Sequence, residues 1–83
     1  MSALRVSFTD VASAGRDALT PGARKEFDAG ILAIARDPYG CGSTAVGGDR
    51  DRREATVNCV AFVRYEVSVR VVTVTVLRVV PAP

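Results

Sequence analysis

Apolar and polar positions alternate at two different periods along this chain, and the change of period separates a helical N-terminal half from a β-rich C-terminal half. Leu4, Val6 and Phe8 alternate with Ala3, Arg5 and Ser7, a period of two that predicts a short strand with one apolar face. Thr9 or Asp10 then offers an N-cap for a short helix reaching about Leu19, which Ser13 and Gly15 weaken by propensity. Thr20-Pro21 is a sharper start signal, because a capping hydroxyl precedes a residue whose fixed φ and missing N–H suit the first helical position. In the helix it opens, Phe27, Ile31, Ile34 and Ala35 recur at helical spacing and Ala23 extends the stripe one turn earlier. Arg24, Lys25, Asp28 and Arg36 are left for solvent, and Asp37-Pro38 ends the helix. The glycines and small residues from Tyr39 to Asp49 predict a loop.

From Arg50 to Val80 the pattern changes to a basic segment followed by strongly β-prone runs, crowded with valine, threonine and aromatic residues that fit a pleated, half-buried surface. In a strand from about Phe62 to Val67, alternation puts Ala61, Val63, Tyr65 and Val67 on a face that meets the helices and Phe62, Arg64 and Glu66 on the opposite one. The final run sets Val72, Val74 and Val76 against Thr73 and Thr75, so the sheet has one covered and one exposed side. A hairpin turn falls within Ser68 to Arg70, without the Asn-Gly or Asp-Gly that would specify its type. The expected fold is α+β, ordered β-α-α-β-β-β: a four-stranded, mainly antiparallel sheet with two helices on one face and the leading strand at an edge beside the final strands.

Composition narrows the class. At 83 residues and 48% apolar, one globular domain spanning residues 1–83 is expected, with a core small enough that a partner would help stabilise it. A formal charge of +2 does not by itself argue for nucleic acid, but its distribution matters. Arg50, Arg52, Arg53, Arg64, Arg70 and Arg78 sit in the β half, whereas Asp10, Asp17, Glu26, Asp28 and Asp37 sit in the helical half, making the sheet the basic side. Cys41 and Cys59 lack metal-site spacing and the chain has no histidine, so neither a metal site nor a cofactor is expected, and both thiols read as small apolar fillers. The N-terminus has no signal-peptide h-region and the valine-rich C-terminal run is broken by Arg70, Thr73, Thr75 and Arg78, so a cytoplasmic protein without a membrane span is expected.

Three strings, ILAIARDPYG, AFVRYEV and VVTVTVLRV, together with the order of elements around them, resemble the RelE/ParE superfamily of bacterial toxins over nearly the whole chain. The resemblance implies a toxin of a type II toxin–antitoxin pair. In RelE-like members the exposed sheet face cuts messenger RNA in the ribosomal A site without a metal; in the ParE-like branch the target is DNA gyrase. The implied partners are a cognate antitoxin and, for the RelE-like activity, the ribosome and mRNA, with a homodimer or a toxin–antitoxin hetero-oligomer as the assembly. Arg53 falls where these toxins carry a basic residue of the first long strand, and Arg78 near an arginine of the last. This chain departs from the pattern at Phe62, which stands in place of an arginine, and at Val79 to Pro83, which offer no basic, histidine or tyrosine group.

Metal-independent RNA cleavage through the 2′-hydroxyl requires a proton acceptor, a positive environment for the phosphorane-like charge and a donor for the leaving oxygen. Arg53, Arg64 and Arg78 are the expected catalytic cations, and Glu54 the expected base, although a carboxylate serves near neutrality only when desolvated. Arg50, Arg52, Arg53 and Arg64 are the expected phosphate contacts, because guanidinium forks match phosphate oxygens, and Phe62 is the exposed aromatic for a base or a protein partner. Each has a plainer account. Arg52 and Arg53 can pair with Asp49, Asp51 or Glu54, and Arg64 with Glu54 or Glu66 across strands. Tyr65 reads as a core aromatic, Tyr39 as the anchor of its own loop, and the loop glycines as flexibility rather than a phosphate-binding motif.

Overall fold

A computed structural model describes residues 4–40 and 42–82, which form β1 (Arg5–Phe8), α1 (Asp10–Asp17), α2 (Pro21–Arg36), β2 (Thr44–Val46), β3 (Asp49–Val57), β4 (Ala61–Ser68) and β5 (Thr73–Pro81). The expectation for Cys41, and those for Ala3 and Pro83, lie outside the described residues. Both helices begin where capping chemistry places them. The Thr9 hydroxyl accepts from the Ala12 N–H at 3.1 Å and the Thr20 hydroxyl from the Ala23 N–H at 3.2 Å, with Pro21 in the first turn of α2. Asp37 caps the far end of α2, one residue before Pro38.

The sheet is five-stranded, in the order β1-β5-β4-β3-β2, and mixed: β1 runs parallel to β5 while the other pairs are antiparallel. This corrects the expected four strands. The extra one, β2, lies in the stretch read as loop; it is only three residues long, and Thr44 and Ala45 are exposed, so no apolar alternation announces it. Its connection to β3 is Gly47-Gly48, both at positive φ, between the paired Val46 and Asp49. The leading strand does lie at the edge beside the last one.

Phe27, Ile31, Ile34 and Ala35 of α2 and Ala12 of α1 are buried, as are Ala61, Val63, Tyr65 and Val67 of β4. All of these except Ala35 form a single core with Val57, Val74, Val76 and Val79, closed at the β1 edge by Phe8, whose ring centre lies 6.3 Å from that of Phe27. Two glycines set how closely the layers approach. A Cβ on Gly15 would lie 2.2 Å from the Val79 carbonyl oxygen, and one on Gly30 2.2 Å from Val57 Cγ1. Between the helices, the Arg24 guanidinium donates to the carbonyls of Asp17 and Leu19 at 3.0 and 3.1 Å, satisfying acceptors at the α1 terminus.

The hairpins depart from the expected turns. Val72 is not on the core face of β5: it is 53% exposed in the turn, which runs from Val69 to Val72, with φ at +51°. Cys59, expected as an apolar filler, is exposed beside Asn58 in the β3–β4 turn, both at positive φ, while the Asn58 amide donates to the Glu26 carbonyl of α2 at 2.8 Å. No helix among the described residues is long and apolar enough to cross a membrane.

Candidate functional site

Because both helices pack on one side, the opposite face of β2 to β5 is open, and strand register decides what projects from it. Thr44, Glu54, Arg64 and Arg78 are successive cross-strand partners, a row over four strands; Thr56, Phe62 and Val80 form the next row. An open groove of ≈ 610 Å³ runs along these rows, lined by Gly42, Thr44, Glu54, Thr56, Phe62, Arg64, Arg78 and Val80.

Arg78 reaches this face through a break in alternation. Val74 and Val76 of β5 face the core, so a regular strand would send residue 78 inward as well. A bulge intervenes: Tyr65 pairs with Val76 but Arg64 pairs with Arg78, leaving Leu77 as the extra residue. The phase then flips, Val79 is buried and Arg78 is exposed. The Leu77 carbonyl accepts from the Thr9 hydroxyl at 2.9 Å, and the adjacent Val76 carbonyl accepts from the Thr9 N–H at 3.0 Å.

Electrostatically the described part of the face is a ladder of ion pairs that leaves Arg78 out. Arg64 Nη2 donates to Glu54 Oε2 at 2.8 Å and Arg52 Nη2 to Glu66 Oε2 at 3.0 Å. Arg78 has no ion pair among the described residues. The groove therefore carries Glu54 against Arg64 and Arg78, and its positive end lies toward β5.

The structure does not bring all the expected residues together. Glu54, Phe62, Arg64 and Arg78 share the groove, whereas Arg52 sits one row away beside Glu66 and Arg50 lies over the Tyr39 ring at 4.9 Å, 3.7 Å from Asp51. Arg53 does not lie on the open face, which corrects its placement among the surface cations. It is in phase with Ala55 and Val57, only 9% exposed, and its guanidinium donates to Ser43 Oγ at 2.8 Å and to the carbonyls of Arg50, Ser43 and Tyr39 at 2.9, 3.2 and 3.4 Å. These bonds use the fork on the protein's own loop. Tyr39 anchors the same cluster. Its ring lies 5.6 Å from the Arg53 guanidinium, and its hydroxyl donates to Asp51 at 2.7 Å, a bond that, with burial, holds the hydroxyl above its ordinary value. Tyr65 is fully buried, its hydroxyl donating to the Pro38 carbonyl.

Thr44, Thr56 and Val80 were not among the expected site residues. Thr44 belongs to the strand the sequence hides, and Val80 is an apolar residue that only the bulge turns outward. The run Leu77-Arg78-Val79 was the available signal, an arginine standing where alternation demands an apolar residue.

A mixed five-stranded sheet with two helices on one face is similar in fold to solved RelE toxins. Isolated RelE from E. coli superposes with a TM-score of 0.81 at 18% identity, over 98% of this chain and 86% of that one. A chain of the toxin–antitoxin complex RelBE2 from Mycobacterium tuberculosis gives 0.80 at 20% identity, over 95% and 91%. The archaeal RelE–RelB complex from Pyrococcus horikoshii gives 0.75 at 16% identity, over 96% of both chains. No family profile and no curated protein sequence matches the chain. The likeness is one of fold.

Proposed function

We propose that this protein is the toxin of a type II toxin–antitoxin pair and that its open sheet face contacts messenger RNA in the ribosome, inhibiting translation as a metal-independent endoribonuclease. The observation that carries this reading is the groove itself: exposed arginines and an exposed aromatic on the uncovered face of a RelE-like sheet. Arg64 and Arg78 supply positive charge for a phosphate, and Phe62 a surface for a base. Glu54 is the one carboxylate lining the groove among the described residues. In the reaction it would take the proton of a 2′-hydroxyl as that oxygen attacks phosphorus and the bond to the 5′-oxygen breaks, leaving a 2′,3′-cyclic phosphate; water would protonate the departing oxygen. The neighbours from M. tuberculosis and P. horikoshii are toxin–antitoxin complexes, and the same class of partner, in a hetero-oligomer in the cytoplasm, is assigned here by extension.

One observation favours a second reading, a toxin-fold protein that binds without cutting, with an antitoxin or DNA gyrase as the partner. Glu54 Oε2 is already hydrogen-bonded to Arg64, which commits this carboxylate to a cross-strand ion pair of the kind exposed sheet faces carry for structure. The two readings separate on induced expression in a bacterial host. Immediate arrest of protein synthesis with new 5′ ends inside open reading frames supports the nuclease. A DNA-damage response with intact messages supports the gyrase branch, and growth unaffected by abundant folded protein overturns the nuclease and the gyrase branch alike, leaving only an antitoxin-binding protein.

A further inference from the structure

The groove presents two arginines side by side, yet they are not equivalent. Arg64 is held by Glu54 at 2.8 Å, while its cross-strand partner Arg78 has no ion pair among the described residues. Two residues away along β4 on the same face stands Phe62, 46% exposed, with Val80 beside it on β5. Two residues of a strand span about 7 Å, comparable to the reach of one nucleotide from phosphate to base.

We infer that the groove holds one nucleotide of a single strand, with its phosphate on Arg78 and its base against Phe62, and that Glu54 holds Arg64 Nη2 in the place of a second phosphate. This deepens the RNA-contact reading above and rests on it. The chemistry is that of a stacking platform beside a cation, which holds single strands with little preference among bases. Glu54 limits the affinity: its carboxylate already accepts from Arg64 Nη2, so a phosphate that takes this donor must displace it. The limit acts through Arg64, not through the protein's overall charge, and that distinction can be measured.

The test is fluorescence anisotropy of a labelled, unstructured oligoribonucleotide with the purified full chain, from about 50 to 200 mM salt, after circular dichroism has shown each variant folded. Arg78→Gln is expected to weaken binding and to flatten the slope of log K against log salt by about 0.7, the loss of one phosphate contact to a single strand. Phe62→Leu, which keeps the apolar surface, is expected to weaken binding roughly tenfold with an unchanged slope, as loss of stacking requires. Glu54→Gln is expected to tighten binding and steepen the slope by about 0.7. Glu26→Gln, on the exposed side of α2, removes the same charge far from the groove and must tighten binding less. Equal effects of Glu54→Gln and Glu26→Gln, or a Phe62→Leu variant that binds like wild type, would overturn the inference while leaving RNA binding in place. Wild-type protein that is folded but fails to bind the free oligonucleotide would overturn this inference, whereas the ribosomal reading it rests on stands or falls separately on translation arrest after induced expression.

Discussion

The Thr9 hydroxyl donates to the Leu77 carbonyl at 2.9 Å and accepts from the Ala12 N–H at 3.1 Å, so one side chain caps α1 and satisfies the bulge that turns Arg78 outward. A helix start and a groove cation are thereby coupled across 68 residues. Thr9→Val keeps the shape but removes both bonds. It should cost about 2 kcal/mol, the sum of a lost N-cap and a carbonyl left without its partner. Thr9→Ser should recover most of it. Urea denaturation measures the difference, and growth inhibition by Thr9→Val should fall by more than its stability loss explains if the bulge relaxes.

Arg53 makes the opposite case, a cation spent on structure. Arg53→Ala would leave the carbonyls of Tyr39, Ser43 and Arg50 short of a donor and take a buried side chain out of the Tyr39 cluster. A loss of about 1–3 kcal/mol is expected in urea denaturation. Arg53→Lys should recover little, because an ammonium cannot span acceptors arranged around a planar fork. An Arg53→Ala variant that keeps wild-type stability but loses nucleic-acid binding would return Arg53 to the functional surface.

What could be read from the sequence follows from what each element buries. α2 and β4 each set one apolar stripe against the core, so period alone placed Phe27, Ile31, Ala61 and Tyr65. β2 buries no side chain fully and exists because β3 offers it an edge, a tertiary cause with no local trace beyond Gly47-Gly48. Phe62, Arg64 and Glu66 are legible on the open face because β4 alternates regularly through those positions, whereas the charge of Arg53 points to the surface against its phase. Its neighbours Ala55 and Val57 already marked that phase as inward.

Gly15 tests the approach of α1 to the sheet. Alanine is the better helix former by about 1 kcal/mol, so an isolated α1 would gain from Gly15→Ala. In the fold the new methyl would meet the backbone carbonyl of Val79, which cannot rotate away, and overpacking of this kind costs about 1–3 kcal/mol. At Gly30 the obstacle is Cγ1 of the buried Val57, a side-chain atom that repacking displaces at less cost than a backbone carbonyl held in a strand. Gly15→Ala should therefore destabilise more than Gly30→Ala in thermal denaturation, and the reverse order would mean that α1 slides on β5 at little cost.

The helices are tied by Arg16, whose Nε and Nη2 donate to the two Asp28 oxygens at 2.8 and 2.7 Å. The Arg16 hydrogen bond holds the Asp28 carboxyl below its ordinary 3.8, with burial opposing. The contribution is fully present above that ordinary value and is lost as pH falls through the lower folded one. Both side chains are partly exposed, at 32% and 47%, so it amounts to about 0.2–1 kcal/mol. Asp28→Asn should be less stable than wild type at pH 7, and the difference should shrink toward pH 3; a constant gap would assign the loss to packing instead of charge.

Arg64 and Glu54 form a pair whose two possible roles predict different double-mutant cycles. Both side chains are about half exposed, at 46% and 55%, so as a cross-strand ion pair they contribute within about 1 kcal/mol, and that coupling should fade in molar salt. Stability is thus the weaker readout. Oligonucleotide affinity is the sharper one, because removing Arg64 leaves the Glu54 charge facing the phosphate path. Arg64→Gln should weaken binding and Glu54→Gln should tighten it. If Arg64 in the wild type only neutralises Glu54 while Arg78 holds the phosphate, the double variant should bind close to wild type, with a salt slope that does not change. A double variant as weak as Arg64→Gln alone would show that Arg64 itself touches phosphate, and that Glu54 yields its place whenever a strand arrives.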